Sequence, residues 1–154
     1  DKMALTLQKY DISQSLQKLA EEMNLLFPQQ IITDIPTKIV ITGHQKSIEQ
    51  ILIILLNNAS KYSPQDSVIE LTLERNSNGL IIKVADQGRG ITEQDKKHIF
   101  ERFYRADDIR GSITGTGLGL AIAQQLAFLN HVTLKVANNQ TRGTVFSLEF
   151  RINF

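Results

Sequence analysis

Apolar residues in the first part of the chain recur at helical spacing. Leu16, Leu19, Met23 and Leu26 follow Asp11, whose carboxylate can cap a helix over about 12–26, with Gln14 three residues on. Pro28 ends that helix. Residues 31–35 and 38–42 read as two short strands around the Asp34-Ile35-Pro36 turn. A second helix is predicted over about 46–61, striped by Ile48, Ile51, Leu52, Leu55 and Ala59 and broken by Ser63-Pro64-Gln65-Asp66. The period then drops to two. Ile69, Leu71 and Leu73 alternate with Glu70, Thr72 and Glu74, while 80–85 is apolar almost throughout. These segments read as a hairpin across Asn76-Ser77-Asn78-Gly79, with the second strand central in its sheet.

Residues 86–117 are rich in glycine and poor in strand formers. They read as a long loop with one short helix, capped by Thr92 with Asp95 at the third position. A loop of that length in a compact domain is usually functional or disordered. A further helix is predicted over 118–129, then two strands over 132–137 and 144–152 that turn at 138–143. Residues 1–10 read as a linker or the tail of an upstream helix, and 11–154 as one domain. The fold class is α+β, a two-layer sandwich with about three helices on one face of a mixed, mostly antiparallel sheet.

Composition removes several chemistries. The 154 residues, 42% hydrophobic and 21% charged, suit one soluble domain with an ordinary core. There is no cysteine, so disulfides, thiolate metal sites and cysteine nucleophiles are excluded. Net charge is +1 and no Lys/Arg run is long enough for a nucleic-acid patch. The longest aliphatic run, 51–56, falls far short of the roughly 20 residues a membrane helix needs. No signal peptide is visible and the chain opens at Asp1, so it reads as a piece of a longer protein.

Five groups of residues carry candidate chemistry. Asp86-Gln87-Gly88-Arg89-Gly90 follows an apolar strand and sets a carboxylate beside bare backbone. Such a carboxylate accepts from an exocyclic amine and repels a carbonyl, which selects adenine over guanine; the same spacing also fits an ordinary turn. Gly115-Thr116-Gly117-Leu118-Gly119-Leu120 leads into a helix, where free N–H groups and the positive dipole end suit phosphate; the alternative is a flexible linker. It is neither a Walker loop nor a Rossmann fingerprint. Asn58 and Lys61 share a helix face, the amide able to ligate Mg²⁺ and the ammonium to neutralise a phosphate; a solvated helix end is the alternative. In Phe100-Glu101-Arg102-Phe103-Tyr104-Arg105 the two phenylalanines could anchor a loop to the core, and Arg105 could reach a phosphate. Arg142-Gly143-Thr144 places a hydroxyl at the start of the last strand. His44, His98 and His131 have no metal-ligand spacing and read as surface or loop residues.

In this order the five groups resemble the catalytic ATP-binding domain of bacterial sensor histidine kinases, of the superfamily shared with DNA gyrase, the large heat-shock chaperones and the mismatch-repair ATPases. The segment Leu55-Leu56-Asn57-Asn58-Ala59-Ser60-Lys61-Tyr62-Ser63-Pro64 looks like the family's N box. Asp86 to Ile91 resembles the first glycine box and Ile99 to Arg105 the F box. Gly115 to Leu120 resembles the second glycine box, and Gly143-Thr144-Val145-Phe146 the third. The match covers roughly 11–152. It implies a Bergerat-type ATP-binding fold with a long ATP lid. It further implies that Asn58 holds Mg²⁺ and that Lys61 and Tyr62 contact phosphates. Asp86, flanked by Gly88 and Gly90, binds the adenine amine with help from Thr144. Tyr104 and Arg105 reach the phosphates from the lid, and the stretch Thr116, Gly117, Leu118, Gly119 and Leu120 offers backbone N–H groups. No catalytic nucleophile or base is expected within the chain.

The resemblance also implies partners. The acceptor histidine is expected on a separate helical dimerisation domain of the same protein, and a response regulator downstream. The fragment is expected to be monomeric and its parent a dimer, with this domain on the cytoplasmic side of a bacterial membrane sensor. Two departures stand out. Ile54 occupies the position four before Asn58, where gyrase-like ATPases carry the glutamate that activates water. Isoleucine cannot take a proton, which argues against a self-sufficient ATPase. Asn130-His131-Val132 replaces the family's paired glycines after the last helix, with only a local turn change expected. A gyrase- or chaperone-type ATPase, and a nucleotide-binding module without transfer, are the competing readings.

Overall fold

The computed structural model describes residues 4–104 and 117–151. The elements are β1 (Gln8–Asp11), α1 (Ile12–Asn24), β2 (Gln30–Asp34), β3 (Val40–Gly43), α2 (Gln45–Lys61), β4 (Val68–Asn76), β5 (Gly79–Ala85), α3 (Glu93–Lys96), α4 (Gly119–Leu129), β6 (Thr133–Asn138) and β7 (Thr144–Arg151). Five strands form one sheet in the order β2-β4-β5-β7-β6, with β5 central. The β2–β4 pair is parallel and the other three pairs are antiparallel. Alternation dictates the sheet's two faces. Leu71, Val84, Phe146 and Val136 form one cross-strand row, and Leu73, Ile82, Leu148 and Leu134 the next. Both rows lie against the helices. The opposite face carries Glu74 paired with Lys83 and Lys135 paired with Glu149, partly solvated.

The first of the two long N-terminal helices begins where local chemistry predicts. The Asp11 side chain accepts from the Gln14 N–H at 2.9 Å. The first helix stops two residues short of the predicted end, which leaves Leu25 and Leu26 exposed. The α2 stripe Ile48, Ile51, Leu52, Leu55 and Ala59 is buried to 2% exposure or less and fills the space between sheet and neighbouring helices. His44 caps this helix through Nδ1, which accepts from the Ser47 N–H at 3.2 Å. The Thr92 cap on α3 is likewise present, at 3.0 Å from the Asp95 N–H.

Two features differ from the sequence reading. Within 1–10, Gln8 to Tyr10 belong to a strand, because β1 pairs antiparallel with β3 from Gln8↔Gly43 to Asp11↔Val40. That pairing joins residues 29 to 35 positions apart and leaves no local trace. It also buries the Tyr10 phenol, pushed far above its usual range first by burial and then by Glu49. Strands β2 and β3, adjacent in sequence, join different sheets.

Candidate functional site

Strand β5 ends at Ala85, and the chain beyond it is held by β7. Asp86 donates its N–H to the Thr144 carbonyl at 2.9 Å. Its carboxylate Oδ1 accepts from the backbone N–H groups of Gly88 at 2.9 Å and Thr144 at 3.0 Å. Both bonds fall on Oδ1, which leaves Oδ2 for a donor outside the described residues. Asp86 is 5% exposed. Burial pushes its carboxyl above the usual carboxylate range, and the two backbone donors oppose that shift. The chain packs tightly here: a Cβ at Gly143, where φ is +106°, would sit 2.0 Å from the Asp86 carbonyl oxygen, and one at Gly88 would sit 2.3 Å from that of Tyr62.

Asp86 lies in a cavity of about 440 Å³. The last turn of α2 contributes Asn58, Lys61 and Tyr62 to its wall, and Gly88, Gly90 and Thr144 join Asp86. Ile91, Ile99, Leu120 and Phe146 supply apolar surface, and Arg89, Asp95, Tyr104, Gly117 and Gly119 also line the cavity. Apolar walls with the buried Asp86 carboxylate between them fit a heterocycle bearing an amine, while the other buried carboxylate of the lining, Asp95, is engaged by the Tyr104 hydroxyl. Beside it, the Asn58 amide and the Lys61 ammonium suit a divalent cation and phosphate oxygens. Among the described residues no cluster of three His, Asp or Glu could hold a metal alone. An ion at Asn58 would therefore draw most of its oxygens from phosphate and water, as Mg²⁺ sites commonly do.

The F-box segment is placed differently in part. Phe100 packs on the core and meets Phe146 edge-on, ring centroids 6.3 Å apart. Phe103 does not anchor the loop: it is 69% exposed with φ +66°, because its turn is set by its N–H donating to the Gly117 carbonyl at 2.9 Å. The Tyr104 hydroxyl donates to the Asp95 carboxylate, and its ring stands 5.5 Å from that of His98. Leu118 does not line the cavity and serves as the N-cap position of α4, without a side-chain cap. Arg105, Thr116 and most of the expected lid lie outside the described residues.

Several residues build the site in ways that no motif in the sequence announced. Gln29, 2% exposed, donates Nε2 to the carbonyls of Ser60 at 2.9 Å and Ser63 at 3.1 Å, and accepts from the Ser60 hydroxyl at 2.7 Å. It thereby fixes the end of α2 that carries Asn58 and Lys61. Asn130 donates to the Ser47 hydroxyl at 2.8 Å and accepts from the His44 N–H at 2.9 Å, tying the end of α4 to the start of α2. Asn138, Asn139 and Arg142 bond to the backbone of the Asp86 loop. The only signal for Gln29 and Asn130 was a polar residue beside a helix end, which is common. His131 holds φ +61°, a left-handed position that glycine fills at many helix ends. The turn change expected for Asn130-His131-Val132 is therefore local, with Asn130 adding a buried staple.

Fold and cavity together define a two-layer domain of helices on a mixed sheet, with a buried aspartate in the wall of its cavity. A model of the histidine kinase-, DNA gyrase B- and HSP90-like ATPase family matches residues 43–153, and the chain belongs to that family. Among its relatives, sensor histidine kinase YkoH of Bacillus subtilis is 32% identical over 150 residues, 96% of this chain and 33% of that protein. ShkA, solved at full length in complex with AMPPNP, has TM-score 0.80 and 27% identity over 96% of this chain and 31% of its own. The catalytic domain of histidine kinase ThkA in a nucleotide-free form shares the fold, with TM-score 0.80 and 22% identity over 96% of this chain and 98% of its own. The chain spans about a third of the length of YkoH. No helix among the described residues is long and apolar enough to cross a membrane.

Proposed function

We propose that this chain is the ATP-binding catalytic domain, over 11–154, of a sensor histidine kinase, binding Mg-ATP and delivering the γ-phosphate to a histidine on a separate helical dimerisation domain. The observation that carries the reading is the cavity in which the buried Asp86 carboxylate and the Asn58–Lys61 face of α2 meet. In this reading Asp86 Oδ2 accepts from the adenine amine with Thr144 beside it, and Gly88 and Gly90 let the base approach. Asn58 would hold Mg²⁺, and Lys61 and Tyr62 would neutralise phosphate oxygens. Thr116, Gly117, Gly119 and Leu120 would offer N–H groups, with Leu118 only through its backbone since its side chain does not line the cavity, and Tyr104 and Arg105 would reach the phosphates. Magnesium would supply charge neutralisation on the phosphates. The chain's own share is positioning and electrostatics. In the transfer, a ring nitrogen of the acceptor histidine bonds to the γ-phosphorus as the bond to the ADP oxygen breaks.

Transfer is favoured over hydrolysis by Ile54. It stands one turn before Asn58, beside Gly119, and puts an apolar side chain where a water-activating base would be needed. A dimeric membrane-bound parent, a cytoplasmic location for this domain and a response regulator as final acceptor complete the reading. The test mixes the chain, Mg-ATP labelled on the γ-phosphate and the separately produced helical domain. Label on the helical domain's histidine supports transfer. Nucleotide binding without transfer leaves a binding module, and steady phosphate release by the chain alone reassigns it to the hydrolysing class.

A further inference from the structure

Past Asp86 the chain leaves the sheet, and its backbone groups lose their ladder partners. Three of them are met by side chains of the β6–β7 turn. Asn139 Nδ2 donates to the Asp86 carbonyl at 2.9 Å. Arg142 Nε donates to the Gly88 carbonyl at 3.0 Å. Asn138 Oδ1 accepts from the Ile91 N–H at 3.2 Å. The turn that carries them is itself shaped, with the Asn139 N–H donating to the Gly143 carbonyl at 2.9 Å and its Oδ1 accepting from the Gln140 N–H at 2.9 Å. The side chains of this turn therefore do for residues 86–91 what strand pairing does for 79–85.

We propose that Asn139 and Arg142 are positioning residues that set the direction of the Asp86 carboxylate and thereby the base selectivity of the site. The proposal rests on the reading of Asp86 as the adenine acceptor. The two residues act through backbone, and neither lines the cavity that holds Asp86. Removing either frees one carbonyl of the loop to turn, and the carboxylate moves with it, because Oδ1 is bonded within the same loop to the Gly88 N–H. A hydrogen bond to a base edge is sensitive to such a shift, whereas phosphate neutralisation by Lys61 is a longer-range effect and is not.

The test compares Asn139→Asp and Arg142→Ala with the wild type by calorimetric titration of Mg-ATP, Mg-GTP and magnesium tripolyphosphate. Asn139→Asp keeps shape but sets an acceptor against the Asp86 carbonyl. The expected result is a three- to tenfold fall in the ATP-over-GTP preference in each variant, the scale of one hydrogen bond, with tripolyphosphate affinity unchanged. A role in stability alone would weaken all three ligands together. Variants that keep the wild-type preference, or lose all three ligands equally while folded, overturn the proposal. A wild type without preference for ATP over tripolyphosphate instead overturns the assignment of Asp86. Thermal unfolding verifies folding, and Arg142, at an exposed position, carries the test alone if Asn139→Asp does not fold.

Discussion

Asp86 and Thr144, 58 positions apart in sequence, are joined twice: the Asp86 N–H donates to the Thr144 carbonyl, and the Thr144 N–H donates back to the Asp86 side chain rather than to a strand carbonyl. The β5–β7 ladder thus ends on a carboxylate. Two backbone donors support its ionised form inside an apolar slot, and the oxygen they leave is available to a ligand.

Replacing Asp86 by Asn keeps an acceptor for those donors but turns an amide N–H₂ toward an incoming amine. ATP affinity is expected to fall by roughly 1.5–3 kcal/mol, about ten- to 150-fold, the worth of a hydrogen bond to a charged group. Calorimetry on the folded variant measures it, and unchanged affinity would remove Asp86 from the site.

The same carboxyl makes binding pH-dependent. Burial raises its folded pKa above the unfolded value. Between the two values the native state holds the extra proton, so this group's contribution to stability falls as pH rises through that window. Ligand binding runs the other way, because the acceptor must be ionised. Affinity for adenosine, which has no phosphate to titrate, is expected to fall as pH drops through the raised pKa, with a midpoint above the usual carboxylate range. Titrations across pH test this, and a flat profile in the wild type would contradict it; Asp86→Asn is expected to be flat.

Gly143→Ala strains the loop at its tightest point. Its φ of +106° and the 2.0 Å approach to the Asp86 carbonyl oxygen leave no room for a methyl group. A loss of at least about 1–3 kcal/mol is expected from the backbone conformation alone. Denaturant unfolding and ATP titration should both register it; a variant with an unmoved midpoint and full affinity would show that the turn is free to rearrange.

Gln29→Ala removes the tie between the start of β2 and the end of α2. The carbonyls of Ser60 and Ser63 lose their donor, at a cost of about 1–3 kcal/mol. Because Asn58 and Lys61 sit on the turn thus released, Mg-ATP affinity is expected to fall with it, although Gln29 does not line the cavity. Stability loss with undiminished affinity would separate the staple from the site.

His131→Gly is expected to stabilise the domain by about 0.5–1 kcal/mol, since a histidine at φ +61° carries the left-handed penalty that glycine avoids, less glycine's greater freedom when unfolded. A chemical-denaturation midpoint at or below the wild-type value would contradict it.

Local order and chemistry were legible in the chain itself. Helical spacing, period-two alternation and the Asp11 and Thr92 caps placed the helices and the central hairpin, because such signals depend on neighbours within a turn or a strand. Three polar residues of the cavity wall, Asp86, Asn58 and Lys61, were legible because their chemistry comes with fixed spacing from glycines or a helix end. Only the tertiary structure decided that β2 joins β4 while β3 joins β1, that Phe103 faces solvent while Phe100 meets Phe146, and that Gln29, Asn130, Asn139 and Arg142 hold the site together. These contacts span from 29 to 83 positions, and each depends on which groups the fold brings together, a condition no periodicity encodes.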